Sequence, residues 1–164
     1  MVMATDQVEV FANNSRDNQT YNMAVVSYKL TGKPIEDPEY DPYPEQVYIH
    51  DNQFENGGTN PAGERGEILA GLTGKPVPDI VYDGITSPKA GAAGKQQLFL
   101  KNNGRATFVN LHGGDMPDLT KLKSVQEAKA VLGFHRLTKV SHNSKPFEGE
   151  LPPLPAVKLP GVAE

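Results

Sequence analysis

Short stretches of this chain alternate apolar and polar residues, which is the period of a strand with one buried face. Stretches of this kind or of β-rich composition predict strands over Val8–Val10, Asn22–Tyr28, Val47–His50, Ile80–Tyr82, Leu98–Lys101 and Ala106–Leu111. Apolar positions with helical spacing predict two helices. One covers Glu64–Leu72, and the other covers Val125–Leu132, with a capping box at Ser124 and Glu127 and a stop at Gly133.

Three of the predicted strands share the pattern apolar-x-apolar-x-x-Asn. Its members are Val8, Val10 and Asn13, then Val47, Ile49 and Asn52, then Leu98, Leu100 and Asn103. Such a pattern suits parallel strands that stack with the apolar side chains inward and the asparagines as a ladder at the corners, because Asn tolerates left-handed backbone. This favours a parallel β-helix. The alternative is a β-sandwich with Asn-rich turns.

The motif LTGKP occurs at Leu30–Pro34 and again at Leu72–Pro76. In a Walker phosphate loop, Ser or Thr follows the lysine, whereas proline follows it here and supplies no N–H. The motif therefore indicates two equivalent corners of a repeat.

A resemblance to a known family extends this interpretation. VVSYKLTGKPIEDPEYDPYPEQVYIHDNQF (residues 25–54), LFLKNNGRATFVNL and LPPLPAVKLPG resemble the C-terminal part of a family of bacterial parallel β-helix repeat proteins. The resemblance implies a right-handed β-helix exported to the periplasm or cell surface. Fold relatives of that family bind or act on polysaccharides, but no catalytic motif carries over. Such relatives are several times longer, so the chain would be their last rungs plus a cap, as a fragment or a short member.

The predicted fold class is all-β. It is a right-handed parallel β-helix of few rungs, with long loops, a short C-terminal helix and an extended Pro-rich tail. Residues 1–115 are expected to form the rungs with inserted loops, and residues 116–164 the C-terminal cap.

The composition and charge of the chain exclude several classes of partner and site. The 164 residues carry a net charge of −4 with scattered Lys and Arg, so nucleic acid is not an expected partner. There is no cysteine, which excludes disulfides and thiolate zinc sites. No apolar run is long enough to span a membrane, and the first residues lack the features of a signal peptide. The periplasmic or extracellular localisation thus follows from the resemblance alone.

The strand alternation predicts a ligand-binding surface. Phe11, Tyr48 and Phe99 should face outward, with Asp51 and Asn102 close enough to add hydrogen bonds. Outward aromatic rings can stack on sugars. The favoured alternative is that loops 31–44 and 57–78 fold back and cover the rings, because such loops need apolar anchors.

Two further sites are weaker candidates. Lys101, Arg105 and His50 are the only cationic or basic groups near the strands that suit a polysaccharide lyase or epimerase. No cofactor is expected, with calcium as the one ion that the acidic loop could bind. Its candidate oxygen ligands are Asp37, Glu39, Asp41 and Glu45.

The leading hypothesis is a non-catalytic module of an exported protein that serves as a scaffold or a glycan-binding surface. One alternative is the lyase or epimerase acting on an acidic polysaccharide. The other is an assembly subunit that stacks end to end, because nothing before Val8 is long enough to cap the first turn. Its partner would be a second copy or the missing rungs, and the contact would bury Val8 and Val10.

Overall fold

The computed structural model of the chain describes residues 1–88, 96–116 and 125–151. Within these ranges it has nine short strands: β1 (Val2–Met3), β2 (Glu9–Phe11), β3 (Asn14–Arg16), β4 (Met23–Val26), β5 (Val47–His50), β6 (Gln53–Glu55), β7 (Ile80–Tyr82), β8 (Leu98–Lys101) and β9 (Phe108–Asn110). Two α-helices, α1 (Gly63–Thr73) and α2 (Val125–Thr138), accompany them. Three 3₁₀ turns cover Tyr28–Thr31, Gly113–Asp115 and Lys145–Phe147.

The strands form three parallel sheets. A four-stranded sheet has the order β1-β4-β7-β9, a three-stranded sheet β2-β5-β8, and a two-stranded sheet β3-β6. In the three-stranded sheet Glu9 lies beside Tyr48, which lies beside Phe99. The strands β1, β2 and β3 are consecutive in the chain, and each is the terminal strand of its sheet.

One core lies between the four-stranded and three-stranded sheets. Ile49, Val47 and Leu98 of the three-stranded sheet are fully buried in it. Val25 and Ile80 of the four-stranded sheet pack in the same cluster. The side chains that alternation predicts to point inward are therefore the ones that form this core.

A second core covers the opposite face of the four-stranded sheet. There Val26, Val81 and Val109 pack with Ala70 of α1. Helix α2 contacts α1, and its buried His135 donates from Nε2 to the Leu111 carbonyl at 2.6 Å. With both faces covered, β4 and β7 are buried at every position, as expected of parallel strands between two layers.

The predicted all-β fold, a right-handed parallel β-helix, is wrong. The protein is mixed α/β, with several short parallel sheets, two helices and three separate 3₁₀ turns in the described ranges. The physical reason lies in the second core, where α1 supplies buried Ala70 and partly buried Leu69 against the four-stranded sheet. Helices are thus part of the core.

The parallel pairing and the asparagine ladder (Asn13, Asn52 and Asn103) are confirmed. The Nδ2 of Asn13 donates to Asn52 Oδ1 at 3.0 Å, and the Nδ2 of Asn52 donates to Asn103 Oδ1 at 3.0 Å. The expectation that these asparagines adopt left-handed backbone is wrong, however. That conformation falls on the residue before each of them, Ala12, Asp51 and Asn102, with φ of 55°, 52° and 52°.

The two LTGKP copies do not occupy equivalent corners. The first ends a 3₁₀ turn after β4, and its Gly32 has a left-handed φ of 68°. The second ends α1. The predicted helix over Glu64–Leu72 is confirmed, and α2 runs six residues beyond the predicted end at Leu132. The predicted cap at Ser124 and the tail beyond residue 151 lie outside the described residues.

Candidate binding surface

The outer face of the three-stranded sheet carries most of the predicted site. Alternation directs two side chains of each strand to this face, six in all. They form two rows that run across the three strands. One row is Glu9, Tyr48 and Phe99, and the other is Phe11, His50 and Lys101. We call these six residues the outer face.

His50 is the electrostatic centre of the outer face. Its Nε2 lies 2.8 Å from Glu9 Oε1, and its Nδ1 lies 2.6 Å from Asp51 Oδ2. Carboxylate oxygens only accept, so both contacts are hydrogen bonds when the imidazole is protonated and each ring nitrogen donates. Burial lowers the pKa of His50, but the hydrogen bonds to Asp51 and Glu9 outweigh burial and raise it above its usual value. The His50 and Asn102 hydrogen bonds hold the pKa of Asp51 below its usual value.

Two aromatic rings enclose His50. Tyr48 stacks on it with ring centroids 4.1 Å apart, and Phe11 stacks on it at 5.2 Å with an interplanar angle of 6°. Tyr48 is only 7% exposed, whereas Phe11 is 54% exposed. Phe11 belongs to the terminal strand β2, so a neighbour covers one of its ring faces and the other remains accessible.

The third predicted aromatic residue, Phe99, lies at the far side of the sheet, where residues 148–150 run alongside β8. Glu148 forms a parallel bridge with Leu100, and the Gly149 N–H donates to the Leu100 carbonyl at 3.3 Å. Lys101 pairs with Glu150. This hydrogen-bonded pairing raises the pKa of Lys101 and lowers that of Glu150.

One of the two segments expected to cover the aromatic residues is placed differently. Helix α1, within segment 57–78, packs on the four-stranded sheet. Residues 148–150 lie beside Phe99 instead, and a Cβ added at Gly149 would be 3.4 Å from its ring. Phe11 stays the exposed member of the set.

The free edge of β2 is the second feature of this surface. The Tyr48 N–H donates to the Val8 carbonyl at 2.7 Å, so Val8 directs its backbone carbonyl toward β5. In a parallel strand successive residues direct these groups to opposite sides. Glu9 and Phe11 therefore direct theirs to the side of β2 on which the described residues place no strand.

The candidate catalytic set is only partly brought together. His50 and Lys101 are cross-strand neighbours, but Arg105 lies beyond the corner at residues 102–104. Both nitrogens of His50 lie within hydrogen-bonding distance of carboxylates, Glu9 and Asp51. The amine of Lys101 is in an ion pair.

The predicted calcium ligands serve local turns. Asp37 Oδ1 accepts from the Glu39 N–H at 2.9 Å, and Asp41 Oδ1 accepts from the Tyr43 N–H at 3.0 Å. Glu45 pairs through its backbone with Asp6. Across the described ranges no group of three or more His, Asp or Glu side chains is placed to hold a metal ion. Calcium binding stays an untested prediction.

Comparisons with protein-family models, with curated proteins and with solved structures gave no significant match. The resemblance to bacterial β-helix repeat proteins, and the export that it implies, therefore stay predictions. In the part of the chain that the structure describes, no helix is long and apolar enough to cross a membrane.

Two residues of the surface were missed as site members. The alternation that places Phe11 outward also places Glu9 outward, but its partner His50 is 41 residues away. Glu150 pairs with Lys101 of β8, which is 49 residues earlier in the chain. No local sequence signal marks Glu150 as part of the surface. Asn13 was predicted as a corner residue but not as part of a binding surface.

Proposed function

We propose that this protein is a non-catalytic interaction module that binds an extended polypeptide segment along the free edge of β2. The observation that carries the proposal is that Phe11 is 54% exposed on a terminal strand, and that no strand within residues 1–88, 96–116 and 125–151 pairs with its outward backbone groups. An unpaired edge with an exposed aromatic residue is a template for strand addition.

The neighbouring edges support this proposal. Strands β1 and β3 are terminal in their own sheets, so residues 2–16 offer three edges in sequence. Val2 and Val10 are only partly buried against the core. A segment added here would complete the burial of both valines, and apolar burial of this kind contributes about 25 cal/mol per Å².

Hydrogen exchange of the Glu9 and Phe11 amides tests the proposal. These amides should exchange rapidly in the isolated monomer, and a bound strand should protect them. The Val10 amide, which faces β5, should be protected in both states and is the internal control. The probes are the protein itself at rising concentration and synthetic strand-forming peptides.

Phe11→Lys should abolish this protection, because an edge lysine opposes strand addition. The matched control is Phe134→Lys, since Phe134 is 70% exposed but lies on α2. Glu9 and Phe11 amides that stay unprotected with every probe would refute the proposal.

Carbohydrate binding is the second candidate, and a specific observation favours it. Phe11 stacks on His50, and His50 Nε2 lies 2.8 Å from the Glu9 carboxylate, so an exposed ring and a carboxylate share the outer face. A sugar could stack on the ring while its hydroxyl groups donate to carboxylate oxygens. Calorimetry with neutral and acidic polysaccharides tests this candidate. Binding should be lost in Phe11→Ala and kept in Phe134→Ala, and absence of heat with every glycan would refute it.

A further inference from the structure

We infer that the segment bound at β2 runs parallel to it and carries an asparagine that donates to the side chain of Asn13. This inference rests on the proposed edge-binding function and specifies its partner. The partner is an extended strand with the pattern apolar-x-apolar-x-x-Asn, and the evidence is a hydrogen-bond unit that the ladder repeats.

Each step of the ladder has the same donors and acceptor. The backbone N–H of Asn13 donates to Asn52 Oδ1 at 3.1 Å, as does its Nδ2 at 3.0 Å. The backbone N–H and Nδ2 of Asn52 repeat this toward Asn103 Oδ1, at 3.3 Å and 3.0 Å. The side-chain oxygens of Asn52 and Asn103 thus each accept from the asparagine of the preceding strand in the sheet.

A second bond runs the opposite way. The Nδ2 of Asn103 donates to the Ile49 carbonyl at 2.8 Å, and the Nδ2 of Asn52 donates to the Val10 carbonyl at 2.9 Å. Each asparagine therefore also contacts the backbone of the strand before its own. A ladder member is completed by groups from both neighbouring strands.

Asn13 has only half of this unit. Its Oδ1 accepts no hydrogen bond from any described residue, and its Nδ2 donates only to Asn52 and to the Phe11 carbonyl at 2.8 Å. An incoming parallel strand in the same register would supply an asparagine for the oxygen and a carbonyl for Nδ2. The same register would set a side chain over the accessible ring face of Phe11, as Phe11 lies over His50.

Other side chains repeat the same register. Gln7 bonds Gln46 at 3.4 Å and Asn14 bonds Gln53 at 3.3 Å, each across 39 residues. Both pairs join polar side chains at positions related by the same 39-residue offset that relates Glu9 to Tyr48. An antiparallel strand would reverse the order of positions, so it could not match the asparagine and the aromatic position together.

The arrangement also argues against a second copy as the partner. An isologous dimer through β2 would pair the two strands antiparallel about a two-fold axis. Head-to-tail stacking would need the far edge of β8, where Glu148 and Gly149 already pair with Leu100. The partner strand must therefore come from a different polypeptide segment.

A synthetic peptide copying residues 45–56, EQVYIHDNQFEN, supplies the required pattern and is the probe. Its control replaces the asparagine equivalent to Asn52 by alanine. We expect the control peptide to bind about tenfold more weakly, because it keeps the backbone N–H but loses the side-chain Nδ2 donor to Asn13 Oδ1. Against Asn13→Ala protein the two peptides should bind equally, which a double-mutant cycle reports as coupling. Asn14→Ala protein should keep the tenfold ratio.

A paramagnetic label at either end of the peptide reports its direction. In the parallel arrangement a label at the N-terminal end broadens signals around Gln7, and one at the C-terminal end broadens those around Arg16. Equal affinity of the two peptides for wild-type protein, or an antiparallel arrangement, would overturn the inference. Protection of the Glu9 and Phe11 amides in that case would leave the proposed edge-binding function standing. Loss of protection with every probe would remove both.

Discussion

Asn52 is the residue at which removal of one side chain should show how much the ladder contributes to stability. It is only 2% exposed, and its oxygen accepts two hydrogen bonds from Asn13. Its Nδ2 is within hydrogen-bonding distance of the Val10 carbonyl, the His50 carbonyl and Asn103 Oδ1. Every polar atom of this side chain is therefore bonded inside the protein.

Replacing Asn52 by alanine removes the acceptor for the Asn13 backbone N–H and all the Nδ2 hydrogen bonds, while Asn103 Oδ1 keeps only the backbone N–H of residue 52. Each buried group left unsatisfied costs about 1–3 kcal/mol, and water can reach the exposed Asn13. We therefore expect a loss of about 3 kcal/mol in the free energy of unfolding. Asn52→Asp should lose more at neutral pH, because a carboxylate would face acceptor oxygens, and should recover partly on acidification, when the protonated carboxyl donates again.

Urea denaturation followed by circular dichroism measures these changes by linear extrapolation. The control is Asn14→Ala, because Asn14 is exposed and bonds Gln53 at 3.3 Å, so its loss should stay within about 0.5 kcal/mol. If Asn52→Ala differed from wild type by no more than this control, with an unchanged m value, the ladder would not stabilise the fold and the reasoning would be wrong.

Four further outcomes are expected. Ile49→Ala should cost about 2–4 kcal/mol in urea unfolding, since Ile49 is fully buried in the first core; a smaller loss than 1 kcal/mol would contradict its placement there. Burial raises the pKa of the fully buried Asp83 to about 6 from 3.8, so its contribution is complete below about pH 4 and is lost as pH rises through 6. Relative to wild type, Asp83→Asn should therefore gain up to about 3 kcal/mol between pH 4 and 7, and a flat difference would refute the shift. The pKa of His50 is raised, so its contribution to the free energy of unfolding should be complete below about pH 6.5 and lost as pH rises through the folded pKa. Urea unfolding across this pH range should show the loss in wild type and not in His50→Gln. Ala12→Gly should stabilise by about 0.5–1 kcal/mol in thermal unfolding, because Ala12 has φ of 55°; an unchanged or lower melting temperature would argue against strain there.

The strands that the sequence predicts well are those with buried alternation. Ile49 and Leu98 point into the core, and their pattern is strong enough to locate β5 and β8. Strands β3 and β6 were missed because each has one partly buried residue, Ser15 or Phe54, between exposed ones. Backbone pairing and polar side-chain contacts specify them, and a hydrophobic pattern does not record such contacts.

The helical part of the fold was the less predictable one. Gly133 suggested a helix stop, yet α2 continues to Thr138. An interior glycine costs only about 1 kcal/mol, and the buried contact of His135 beyond it can offset that cost. The packing of α1 on the sheet decides the fold class, and a short apolar helix pattern does not state which surface it covers.

For the candidate surface, the alternation of apolar and polar residues predicts which side chains face outward. It does not predict which side chains contact one another. It placed Phe11 and His50 outward, and the structure stacks their rings. Asn13 and Asn52 are 39 residues apart, and the same offset pairs Glu9 with Tyr48. The repeated asparagine therefore predicts the register of β2 and β5. Contacts made by Glu150 had no comparable spacing signal.

The parallel pairing described above has a consequence for how fast the chain folds. Residues that are hydrogen-bonded between neighbouring parts of the sheets are far apart in sequence. Asp79 and Thr107 are separated by 28 residues, and Asn22 and Asp79 by 57. Each contact requires closure of a long loop before any pairing stabilises it. We therefore expect refolding in the range of milliseconds to seconds, as for small domains of high contact order, with the collapsed chain exposing apolar strands before they pair.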